Sequence, residues 1–141
     1  MKKKVMIRLL TKQTAEEQEP ETLEIATQGT LEKTPDGLYI EYNEPDEGMG
    51  KTVCGILINN PELVTMTRSG DFNANLVLEK GVRHNCLYET PFGSVVMGVF
   101  SSDVNVLFTE DGGTVNMKYT IDINSEMLSE NRVTMDVKII D

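Results

Sequence analysis

Three short stretches of this chain carry residue types that can do chemistry at close spacing. Gly48-Met49-Gly50-Lys51-Thr52 has the ending of a phosphate-binding loop. The first glycine of such a loop would fall at position 45, which is Pro45, and Val53, Ile56 and Ile58 continue as a strand pattern. Without a helix N-terminus there is neither a dipole nor an amide cradle for phosphate. Asp71-Phe72-Asn73-Ala74-Asn75 starts like a calcium loop. Leu76 stands where the turn glycine belongs, and Val82 where the bidentate glutamate belongs. His84 is the single histidine, and Cys86 lies two positions on. On a strand that spacing is ~7 Å along one face, too long for a nucleophile–base hydrogen bond. Cys54 and Cys86 form no C-x-x-C pair, and no G-x-S-x-G elbow occurs. The chain is read as non-enzymatic, with no metal and no cofactor.

Arg68 is the more informative residue, because it follows Val64 and Met66 on one alternating face. A guanidinium taken out of water requires an anionic partner or good acceptors. A ligand carboxylate or phosphate would supply one, with Phe72 and Tyr88 stacking beside the cation. His84 and Tyr119 complete the expected ligand-binding set of Arg68, Phe72, His84, Tyr88 and Tyr119. Met66, Met97, Met117 and Met135 are expected as an adaptable apolar lining below it. The competing reading pairs Arg68 with an internal carboxylate and treats the methionines as ordinary core.

The elements that must position these groups are strands. Val115, Met117, Tyr119, Ile121 and Ile123 interleave with Asn116, Lys118, Thr120 and Asp122, and Val133 to Ile139 repeat the rhythm. Successive Cβ atoms on a strand point to opposite faces, so this alternation gathers the apolar groups on one side. Turn chemistry such as Pro35-Asp36-Gly37, Asn59-Asn60-Pro61, Lys80-Gly81 and Asp111-Gly112-Gly113 recurs between such runs. Strands are expected near 2–12, 22–33, 38–43, 51–58, 62–68, 72–78, 82–89, 94–108, 114–124 and 131–140. The run 94–108 is too long to be straight and is expected to bend at Gly98 or Ser101–Asp103. Residues 125–130 are expected to form at most a helical turn. The fold class is all-β: one domain over 1–141, a single antiparallel meander closing into a barrel of eight to ten strands.

Two loops predict a register for the middle of the chain. A three-residue hairpin at Glu79-Lys80-Gly81, with Gly81 left-handed and a bulge after it, sets Leu76 opposite His84, Ala74 opposite Cys86 and Phe72 opposite Tyr88. A three-residue loop at Ser69-Gly70-Asp71 sets Arg68 opposite Phe72 and Met66 opposite Ala74. Arg68, Phe72 and Tyr88 would then form one row across three strands.

Charge narrows the partners. With 23 acids against 13 bases the formal charge is −10, a field that repels phosphate backbones and anionic lipid. No nucleic-acid or membrane partner is expected; a small-molecule ligand or a homodimer is. The opening MKKKVMIRLL has the look of a secretory signal, but its apolar run is short, is broken by Arg8 and lacks a cleavage site. It reads as a first strand with Val5, Ile7 and Leu9 inward. Two reduced thiols and a cytoplasmic setting are expected.

Thr67-Arg68-Ser69-Gly70, then Gly81, then Tyr88-Glu89-Thr90-Pro91-Phe92-Gly93, together with Leu38-Tyr39-Ile40-Glu41-Tyr42, resembles the YwiB-like family of small bacterial proteins. The similarity runs over roughly 20–125. The resemblance implies a cytoplasmic, calycin-like (lipocalin-type) barrel and no established activity. The chain has no Trp, hence none of the Gly-x-Trp that marks true lipocalins near their first strand.

Overall fold

The computed structural model describes residues 2–15, 19–43, 52–70, 73–90, 93–124 and 126–140. Its strands are β1 (Lys2–Ala15), β2 (Glu21–Thr34), β3 (Gly37–Asn43), β4 (Thr52–Asn60), β5 (Leu63–Gly70), β6 (Asn73–Glu79), β7 (Arg83–Thr90), β8 (Gly93–Thr109), β9 (Gly112–Ile123) and β10 (Glu126–Ile139). Each strand pairs antiparallel with the next, and β10 returns to β1, so the sheet closes on itself. The ring closure runs from Val5↔Ile139 to Ala15↔Ser129. Closure leaves the meander no free first or last strand.

The alternation explains which side chains fill the interior. Val5 and Ile7 of β1, Ile40 of β3, Ile56 of β4, Val64 of β5 and Leu78 of β6 are fully or almost fully buried. Val115, Met117, Met135 and Val137 join them from β9 and β10. These residues pack the barrel end that carries the β2–β3, β4–β5, β6–β7 and β8–β9 turns. β8 keeps its apolar groups inward over 17 residues by a bulge: its register against β9 shifts between Ser101 and Asp103. One extra residue there moves the inward positions from Val99 and Ser101 to Val104. The bend therefore falls at the serines; Gly98 lies within the straight part.

Three expectations are corrected. Residues 126–130 belong to β10, with a register shift between Met127 and Ser129, because β9 continues to pair there through Ile121–Ile123. The β5–β6 register is Arg68↔Ala74 and Met66↔Leu76, two positions from the one the three-residue loop predicts. β5 cannot turn at Ser69 because it is still paired to β4 through Thr52↔Gly70. The β6–β7 loop has two residues: the Val82 N–H donates to the Glu79 carbonyl at 3.0 Å, with Gly81 at φ +77°. Its pairing resumes as Ala74↔Tyr88, again two positions away. A slip of two preserves the face, so Arg68, Ala74 and Tyr88 still look inward.

Candidate functional site

The described residues do not fill the other barrel end. A cavity of about 500 Å³ lies inside it, walled by residues of every strand of the barrel. Its apolar wall includes Leu9, Ile25, Met66, Leu76, Ile121 and Val133. Two cross-strand rows bring polar groups into it. The first runs over β3 to β7 as Tyr42–Cys54–Arg68–Ala74–Tyr88. The second runs over β1, β10 and β9 as Gln13–Asn131–Tyr119. All eight of these residues line the cavity.

The two rows meet electrostatically. Tyr119 is only 7% exposed, and burial raises its phenol above the usual range, an effect opposed by the charge of Arg68. The phenol therefore stays protonated at neutral pH and offers an O–H donor close to a cation. A guanidinium carries five N–H donors, so one side chain can serve an internal contact and a ligand carboxylate together. Asn131 is buried and donates one N–H to Ser129 Oγ at 3.1 Å.

Of the residues expected at the site, Arg68, Tyr88 and Tyr119 line the cavity. Phe72 lies outside the described residues. His84 is not brought to the cavity: its Nε2 sits 2.9 Å from Glu79 Oε1 at the β6–β7 hairpin. Cys86 is spent on structure as well, with Sγ accepting the Val77 N–H at 3.4 Å. Met66 and Met97 line the cavity, whereas Met117 and Met135 are buried in the packed end. The sequence reading missed Gln13, Cys54 and Asn131. Gln13 continues the inward phase Val5-Ile7-Leu9-Thr11, and Asn131 precedes Val133 in phase, so the signal was alternation carried past the last apolar residue.

Neither Cys54 nor Cys86 is in a disulfide. Among the described residues no group of three or more His, Cys, Asp and Glu is placed to hold a metal ion. No helix among them is long and apolar enough to cross a membrane.

Fold and site together define a closed ten-stranded meander barrel, packed at one end and, among the described residues, hollow with an internal cation at the other. The chain belongs to the family described as a domain of unknown function (DUF1934), which matches residues 7–135. It is similar in fold to the crystal structure of the ywiB protein from Bacillus subtilis, with a TM-score of 0.87 at 16% identity. That likeness covers 99% of this chain and 94% of the other. No curated protein matches.

Proposed function

We propose that this barrel binds a small amphipathic or anionic ligand in its hollow end, with Arg68 as the anion anchor. The observation that carries the reading is one cavity combining mostly apolar walls with Arg68 and the Tyr119 phenol. Its volume falls within the range of small-molecule sites, where a few placed polar groups orient a mainly apolar ligand. A calycin-like, non-enzymatic carrier or sensor in the cytoplasm is the corresponding role. Two buried cysteines outside any disulfide and a charge of −10 support that setting.

The test is displacement of 1-anilinonaphthalene-8-sulfonate by decanoate on the purified full chain, alongside native mass spectrometry. Saturable dye binding at one site and competition by decanoate are expected. Arg68→Met should weaken decanoate by about tenfold, the scale of one charge-assisted hydrogen bond. Absence of dye binding and of any retained small molecule would rule the reading out.

A second reading, a barrel acting through homodimer or partner contacts, draws on β2. Its residues 29–34 pair with β3, but residues 21–28 pair with β1 and with no other described strand. A defined dimer in the same mass spectrum, without bound small molecule, would favour it.

A further inference from the structure

The cavity's polar groups are more specific than an anion anchor requires. Asn131 and Tyr119 are direct cross-strand partners, as are Asn131 and Gln13, and all three face the same space. Direct partners on one face have Cβ atoms ~5 Å apart. A primary amide has two N–H donors and a carbonyl acceptor, and only one N–H of Asn131 goes to Ser129. A buried amide is stable where its remaining groups meet partners. One wall therefore presents a phenol donor near a cation and, one position along, an amide that both donates and accepts.

On the premise of the ligand-binding reading above, we infer that the ligand is an amphipathic monocarboxylate whose head bears a second hydrogen-bonding group close to the carboxylate, as in an N-acyl amino acid. The carboxylate lies between Arg68 and the Tyr119 hydroxyl. The adjoining amide of the ligand pairs with Asn131, with Gln13 at the rim, and the acyl chain lies along Leu9, Ile25, Leu76 and Val133. A single negative charge suits one internal cation in a molecule of net charge −10, whereas a polyanion meets the repulsion of the whole acidic surface.

Isothermal titration calorimetry with N-decanoylglycine, decanoate and decyltrimethylammonium tests this on the full chain. N-Decanoylglycine should bind at least about tenfold more tightly than decanoate, the value of one well-made hydrogen bond. Asn131→Ala should reduce that ratio below about threefold while leaving decanoate nearly unchanged, and Arg68→Met should weaken both carboxylates. Gln13→Leu, at the exposed rim, supplies a second variant if Asn131→Ala does not fold; it should also narrow the ratio. Equal affinity for the two carboxylates, or a ratio untouched by the variant, overturns the inference and leaves the cavity reading standing. Tightest binding by the ammonium overturns the inference and the anion anchor together. No binding of any of the three, with no dye binding, ends the cavity reading itself.

Discussion

Arg83 on β7 reaches over Gly98 of β8 to Asp122 on β9, so one ion pair straps three strands on the outer wall. Nη2 lies 2.6 Å from Oδ1 and Nε 3.2 Å from Oδ2, a bidentate fork. A Cβ on Gly98 would collide with the guanidinium and with Oδ1, which is why glycine stands beneath the pair. The hydrogen bond from Arg83, then its charge, holds the Asp122 carboxyl below its usual range. A depressed folded-state value stabilises the fold above the unfolded-state value, and the gain is lost as pH falls through the lowered one. Asp122→Asn should therefore lower stability at pH 7, where the gain is fully present, change it little near pH 3, and so flatten the acid side of the stability–pH profile. Gly98→Ala should do the same, because the obstacle is the movable end of Arg83 and not backbone. Urea unfolding between pH 3 and pH 7 checks both; an acid limb identical to the parent in each variant would remove the strap as its cause.

Among the elements, the β6–β7 seam is the weak part of the wall. Among the described residues the two strands pair only through Asn73↔Glu89 and Ala74↔Tyr88, and again at the isolated bridge Glu79↔Val82. Four residues of β6 and five of β7 lie between those points, so the ladder cannot stay in step. The gap is spanned by the Val77 N–H to Cys86 Sγ bond and by the His84–Glu79 contact. Thiol acceptors are weak, and backbone groups held this way open more readily than a continuous ladder. Amides of residues 75–78 that do not pair with β5 should exchange with deuterium at least about tenfold faster than those of β9 and β10. Uniform protection around the barrel would contradict this. The seam starts at Ala74 and Tyr88 on the cavity wall and runs past Leu76 to the β6–β7 turn at the packed end, so it borders the cavity along part of its length.

At the scale of the whole molecule, one ring of strands serves two ends with opposite demands. The packed end supplies the stability that the hollow end does not, since an unfilled interior forgoes the contacts of a close-packed core. Met135 is fully buried there, on the strand that closes the ring against β1. Met135→Ala should cost about 2–5 kcal/mol, the range for large-to-small changes in a core. Because closure couples every strand to its neighbours, urea unfolding of the variant should remain one cooperative transition by both fluorescence and circular dichroism. Separate transitions for the two ends would show that the ring does not unfold as a unit.

The chain's own order of residues determined the strands, their number to within two, and the faces they turn inward, because a period of two is a local property. Val5, Ile7, Met117 and Val137 follow from it directly, as does the inward position of Arg68, Tyr88 and Tyr119. Register was not decided locally. A slip of two positions conserves every face, so Arg68↔Ala74 and Ala74↔Tyr88 had to be selected by pairing elsewhere, such as Thr52↔Gly70. Nor could alternation separate His84 from Tyr88, which share a face but sit at different heights, one beside Glu79 and one beside the cavity. The hollow itself is a volume between opposing walls, set by strands remote in the chain. Only closure of β1 on β10 brings Gln13, Asn131 and Tyr119 to face Arg68 across it.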